Sequence, residues 1–266
     1  MAFYGCEFTF DGKSSLAYGL MIFDIESYSQ GDVDIPTGTI VEERISGRYD
    51  ALAYGIKQNN PLEFTLVFGA NTETTDRGTP LDRYDVDAIS AWLVGHGDYR
   101  YFAISQPDMR DFRYKVIISG LKLITYGGHP WAFQCKVTCD APYAYTYPFE
   151  TVIECSGTTN VTFYNRASYH GFYKPKLVIS TSGGGSVSIT NVSDGNRVCS
   201  FTNLPTSVHE VTVDNLNQII TTDSAVNPYS YFNMKFFRLV RGDNSLTIAG
   251  NAEVKIICEF PVNIGG

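Results

Sequence analysis

The chain has 266 residues, 44% of them apolar and 18% charged, with a formal net charge of -8. That balance excludes intrinsic disorder and argues against a nucleic-acid partner, because no basic stripe exists to replace phosphate counterions. Its 18 Tyr, 17 Phe and 24 Gly point to aromatic-rich strands broken by glycine turns, in one large or two ordinary domains.

Taken in chain order, Tyr4, Cys6, Phe8 and Phe10 alternate with polar residues, the period of a half-buried strand, and Asp11-Gly12 closes it with a turn. A second strand is expected over 20–25. The next forty residues are broken by Gly31-Asp32, Pro36, Gly38, Gly47 and Gly55 around a short run at 39–45, which predicts a long hairpin arm. Leu62, Phe64, Leu66 and Phe68 return the chain to a core. One helix is predicted at about 85–95. There Val86, Ile89 and Leu93 recur at helical spacing, Trp92 flanks them, Asp85 or Asp87 can cap the start, and Gly95 or Gly97 stops it. Strands follow near 100–105, 113–125 and 131–139.

Ala141-Pro142-Tyr143-Ala144-Tyr145-Thr146-Tyr147-Pro148 reads as an extended connector, placing a domain boundary at 144/145. Beyond it about ten short strands and no helix predict a β-sandwich. Ser182-Gly183-Gly184-Gly185-Ser186 reads as a hairpin tip, and Arg241-Gly242-Asp243-Asn244 as a tight turn between the strands holding Leu239 and Leu246. Val254, Ile256, Cys258 and Phe260 form a further strand.

The residue chemistry offers no catalytic constellation. Arg241-Gly242-Asp243 matches an adhesion tripeptide, but its place between alternating strands favours a plain turn. The glycine run lacks the Lys-Ser/Thr and helix of a phosphate loop. His96, His129, His170 and His209 are scattered, so no metal site or cofactor is expected. Asp82, Asp85 and Asp87 suit helix capping better than a cation. No G-x-S-x-G elbow occurs. Cys6, Cys135, Cys139, Cys155, Cys199 and Cys258 include no C-x-x-C pair. Reduced core thiols of a protein made in a cytoplasm are the simplest reading. The N-terminus shows no basic and apolar leader, and no apolar run is long enough to span a bilayer. One group carries a binding hypothesis: Tyr164, Tyr169, Phe172 and Tyr173, with Asn165 and His170 among them, could stack on and hydrogen-bond a sugar.

In order and spacing, the chain resembles the distal tail proteins of long-tailed phages (siphophages with non-contractile tails) that infect Gram-positive bacteria. Phe8-Thr9-Phe10-Asp11-Gly12-Lys13-Ser14-Ser15 with Tyr18-Gly19-Leu20 is similar to that family's opening. Trp131 to Cys139 running into Ala141-Pro142-Tyr143-Ala144 is similar to the end of its ring domain. Asn165 followed by Pro175-Lys176-Leu177-Val178-Ile179 resembles the entry to its second domain, and Val213-Asp214-Asn215 with Leu239, Gly242, Asn244, Leu246 and Ile248 its close. The bulky residues of 166–173 depart from relatives that carry small ones.

The resemblance implies a mainly β chain of two β-sandwich domains. Residues 1–144 would be a ring-forming hub domain with one helix and a projecting hairpin arm, and 145–266 a galectin-like sandwich. It implies no enzyme but a virion protein at the distal tail tip, a homohexameric ring joining the tail tube to a tail-associated hub or lysin protein and to receptor-binding components. Ile40, Arg44, Ile45, Tyr49 and Tyr54 are the arm residues expected to bind a neighbouring copy. The alternative is a carbohydrate-binding module touching cell-wall glycan through Tyr169, His170, Phe172 and Tyr173. An enzyme of the cell envelope is a third reading without support in the residues.

Overall fold

The computed structural model describes residues 7–25, 39–57, 61–71, 80–169 and 171–264. They form two compact units, the first running to Tyr145 and rejoined by Asn263, the second spanning Thr146–Val262.

The first unit carries β1 (Phe8–Phe10), β2 (Lys13–Ser14), β3 (Leu20–Ile25), β4 (Thr39–Glu43), β5 (Leu52–Lys57), β6 (Glu63–Ala70), helix α1 (Arg83–Leu93), β7 (Arg100–Ile104), β8 (Phe112–Tyr126) and β9 (His129–Cys139). Seven strands join in the order β2-β1-β7-β8-β9-β6-β3, every pair antiparallel. β1 and β6 are four strand spacings apart, roughly 19 Å across a flat sheet. Yet the rings of Phe8 and Phe68 lie 5.4 Å apart, and those of Phe64 and Phe102 5.9 Å. The sheet therefore curls until its own apolar face closes on itself, burying Phe8, Phe10, Leu66, Phe68, Phe102, Val116 and Phe133.

Helix α1 seals this interior. Its Ile89, Trp92 and Leu93 are buried. The indole stacks on Phe8 at 5.7 Å and on Tyr18 at 4.5 Å, and its Nε1 donates to the Phe10 carbonyl at 3.1 Å. The helix starts earlier than its apolar spacing suggests, because Asp82 is the cap. Its Oδ1 accepts from the Tyr84 and Asp85 amides at 2.8 Å each, and Asp85 Oδ2 accepts from the Asp82 amide at 3.0 Å. This reciprocal box satisfies orphan donors and is worth about 1 kcal/mol.

The second unit follows the strand β10 (Ala144–Thr146), which occupies the expected connector. It contains β11 (Phe149–Asn165), β12 (Lys176–Thr181), β13 (Gly185–Asn191), β14 (Arg197–Leu204), β15 (Glu210–Asp214), β16 (Ile219–Thr222), β17 (Gly242–Cys258) and β18 (Pro261–Val262). Instead of many short strands, two 17-residue strands dominate, paired along their whole length from Phe149↔Cys258 to Asn165↔Gly242. A strand has only two edges. With β11 on one edge of β17, β12 takes the second half of the other edge (residues 252–257) and β13 the first half (246–249). One half of the ribbon thus extends into β13 and β14, the other into β12, β15 and β16.

The ribbon bends between these halves, where Gly157 faces Gly250 with φ of 91° and 124°. Those angles suit residues without a Cβ. Leu246 and Ile248 before the bend and Val254 and Ile256 after it are all fully buried. The same pleat face stays inward on both sides, and the two sheets enclose one core as a sandwich.

Two expected turns are corrected here. Ser182 to Ser186 is no hairpin tip, because β12 and β13 do not pair with each other; it carries the chain past the bend from one sheet to the other. A Cβ at Gly184 would strike the Leu204 and Pro205 carbonyls, and one at Gly250 would lie 2.5 Å from the Ser186 carbonyl. Arg241 to Asn244 is no tight hairpin either. Gly242 already pairs with Asn165, while Leu239 makes only an isolated bridge to Tyr173. Buried Asn244 pins the entry: its Oδ1 accepts from the Val240 amide at 2.9 Å and from Asn191 Nδ2 at 2.8 Å, and its Nδ2 donates to the carbonyls of Val240 and Gly242.

Candidate functional site

The arm is built by β4 and β5, which pair only with each other among the described residues, in a register from Thr39↔Lys57 to Glu43↔Leu52 with an irregularity at Val41/Glu42. Every residue of β4 is exposed. Ile40 is 63% and Tyr54 64% exposed, Ile45 is exposed, and Tyr49 at the tip is fully so. The polar groups stay within the hairpin. Arg44 Nε donates to Glu42 at 3.2 Å, Arg48 to Asp50 at 2.8 and 3.1 Å, and the Tyr54 hydroxyl to Glu43 at 2.9 Å. The Arg48 contact holds the Asp50 carboxyl below its usual range, and Glu43 pushes the Tyr54 phenol up. The structure thus brings Ile40, Arg44, Ile45, Tyr49 and Tyr54 onto one hairpin. The expected arm residues 32–38 and 58–60 lie outside the described residues.

A second exposed ribbon escaped the sequence reading. Past Ile118, β8 and the start of β9 carry Leu123, Ile124 and Tyr126 on an exposed hairpin whose tip, Gly127-Gly128, has positive φ at both glycines. Gly120, at the bulge where Ser119 and Lys122 lose register, was the available signal.

The aromatic group of the second unit divides. Tyr173 is built into the fold: its ring sits 4.6 Å from that of Phe260, and its hydroxyl donates to the Glu259 carbonyl at 3.0 Å and accepts from the Glu259 amide at 2.8 Å. Burial pushes its phenol well above the ordinary range. Asn165 is also occupied, donating to the Val240 carbonyl and accepting from the Ala167 amide. Phe172 is 42% exposed, and Tyr164 and Tyr169 are exposed too. One face of Phe172 is covered by the Arg238 guanidinium at 3.5 Å, which Asp194 holds with contacts of 2.7 and 3.0 Å. His170 lies outside the described residues.

Among the described residues no group of three or more His, Cys, Asp or Glu is placed to hold a metal ion, and no helix is long and apolar enough to cross a membrane. Cys135, Cys139, Cys199 and Cys258 are buried free thiols, each pushed up to about 12 by burial. They are inert packing groups, not nucleophiles.

Residues 3–141 match a family model described as a phage tail protein N-terminal domain, and 143–258 one described as a phage tail C-terminal domain. The chain belongs to this phage tail protein family. Among solved structures, the tail protein is similar in fold to the Dit (gp 19.1) protein of phage SPP1, described as a paradigm of the hub adsorption apparatus in Gram-positive-infecting phages. Identity is 12%, the TM-score is 0.64, and the match covers 96% of this chain and 98% of that one. It is also similar to chains of the phage P2 baseplate in its activated conformation, with Ca and with Sr. These are 10% and 12% identical with TM-scores of 0.50, covering 94% and 95% of this chain and 97% of each of those. No curated protein matches.

Proposed function

We propose that this tail protein is the distal tail hub subunit of a siphophage, acting through geometry without catalysis. Residues 1–144 would close into a homohexameric ring between the tail tube and a tail-associated hub or lysin protein, with 145–266 as its periphery, carrying receptor-binding components. The observation that carries the reading is the likeness to the SPP1 hub protein over both units together. The arm adds support. A two-stranded hairpin is marginal alone in water, and this one exposes Ile40, Val41, Ile45, Tyr49 and Tyr54, so a neighbouring copy is the cover it needs. Ring closure also leaves no open contact to propagate.

Native mass and negative-stain images test this. The expected species has six times the 29.5 kDa chain mass and a central channel; a monomer at micromolar concentration would refute the ring. Deleting 38–55 should leave a folded protein that closes no rings.

A second reading, weak glycan contact by the periphery, has one observation in its favour: Phe172 presents an exposed ring backed by Arg238. Binding on a glycan array that disappears in Phe172→Ala supports it, and unchanged or absent binding removes it.

A further inference from the structure

The second unit treats its strand edges unequally. On β14, Phe232 bridges Phe201, the Asn233 amide donates to the Ser200 carbonyl at 3.1 Å, and the Asn233 side chain takes the Ser200 amide and the Val198 carbonyl at 3.3 and 2.9 Å. On β16, the Tyr229 hydroxyl accepts from the Ile220 amide at 3.0 Å and donates to the Gln218 carbonyl at 3.2 Å. Both outer edges are blunted by the segment 227–233, a common defence against unwanted pairing. β11 has no such cover. Within the unit it pairs with β17 alone, and side chains serve only its bend, Asn251 at the Gly157 amide and Thr159 at the Glu154 carbonyl.

The stretch Phe149–Cys155 of this edge has a definite chemistry. Glu150, Val152 and Glu154 alternate on its exposed face, Val152 being 51% exposed. Lys255 is engaged with Glu150 at 3.4 Å. Glu154 stands directly opposite Glu253, and β12 offers only Ser180 at that row. Like charges directly opposite across a ladder are destabilising, and among the described residues neither carboxylate has an ion-pair partner. A second copy is the wrong visitor: antiparallel self-pairing centred on Val152 sets Glu150 against Glu154. A strand carrying Lys or Arg beside Glu154 and an apolar residue over Val152 fits both needs.

We infer that the free edge of β11 at Phe149–Cys155 is a strand-addition site for an extended, basic segment of another tail protein. Backbone hydrogen bonds would supply affinity and the glutamates selectivity. The inference does not depend on ring closure, which native mass reads separately.

The test uses the full chain and overlapping peptides tiling the other tail proteins of the same phage. Binding peptides should carry Lys or Arg at alternate positions. The best of them should slow hydrogen exchange at the amides of 149–155, leaving β14 and β16 unchanged. Reversing both carboxylates, E154K with E253K, should weaken that peptide by roughly tenfold while unbound exchange elsewhere stays as in the parent. No binding peptide, protection confined to other strands, or equal binding by the reversed variant would each overturn the site.

Discussion

The molecule contains two antiparallel ribbons with opposite fates. β11–β17 puts every second residue into a sandwich core, with Leu246, Ile248, Val254 and Ile256 fully buried. β4–β5 has the same ladder but buries no residue of β4. Backbone pairing is common to both, so pairing alone does not account for the difference. What separates them is a second apolar layer: the long ribbon has β12 to β16 across its concave face, and the arm has solvent on both sides. The second ribbon of the first unit, beyond Ile118, begins like the first case and ends like the second.

The sharpest way to break this comparison is to delete equivalent methyl groups from each ribbon. Ile256→Ala removes a fully buried side chain and should cost about 2–5 kcal/mol in denaturant unfolding. Ile40→Ala should stay within about 0.5 kcal/mol of the parent. Equal losses would mean that the arm is already covered within one chain. The bend comes next. Gly250→Ala combines a φ of 124° with a Cβ 2.5 Å from the Ser186 carbonyl, and about 3 kcal/mol is expected from strain and clash together. Gly157→Ala, facing open space at φ 91°, meets backbone strain alone and should cost about 1–2 kcal/mol. If the two glycines tolerate alanine equally, the close passage of Ser186 is not what fixes the bend.

The buried thiols sharpen the comparison through pH. Cys199 of β14 and Cys258 of the long ribbon are raised from 9.0 to about 12 by burial. A raised acid holds its proton more tightly in the folded state. Its contribution is therefore complete below about pH 9 and falls as pH rises towards about 12. At about pH 10.5 each such thiol should have cost at most about 2 kcal/mol, at 1.36 kcal/mol per pH unit. Stability measured at about pH 8 and 10.5 for the parent and for Cys199→Ala checks this; an identical decline in both would exclude the thiol as a cause. Iodoacetamide at about pH 8 should leave Cys199 and Cys258 unmodified while the chain is folded.

Much of this fold is legible in the sequence, because period-two alternation reports burial directly. Phe64, Leu66 and Phe68 lie in the core as their spacing predicts, as do Phe133, Cys135 and Val137. What stayed hidden depends on partners distant in sequence. Gly157 and Gly250 read as breaks between short strands, yet their pairing makes them the bend of a continuous ribbon. Tyr173 read as a surface aromatic, and contacts 86 residues away at Glu259 take its hydroxyl inside. Among the candidate surface residues, the arm was visible because glycine interruption and mixed polarity are local properties. The exposed end of β8 was not, since Leu121, Leu123 and Ile124 resemble core residues until the sheet beneath them stops.

The smallest expected effect on stability is also the most diagnostic of assembly. Tyr49 stands at the arm tip without described neighbours over its ring, and Tyr54 gives its hydroxyl to Glu43 on the paired strand. In a single chain, Tyr49→Ala removes no buried area and should leave unfolding within about 0.5 kcal/mol of the parent. Tyr54→Phe removes one exposed hydrogen bond and should be similarly silent. If a neighbouring copy covers the arm, Tyr49→Ala instead deletes a large apolar contact from each ring interface. Dilution should then separate the variants: native mass would show Tyr49→Ala dissociating at higher concentration than the parent, and Tyr54→Phe much closer to it. Rings equally persistent in both would place the stabilising contact elsewhere, with the exposed end of the β8–β9 hairpin as the next surface to truncate.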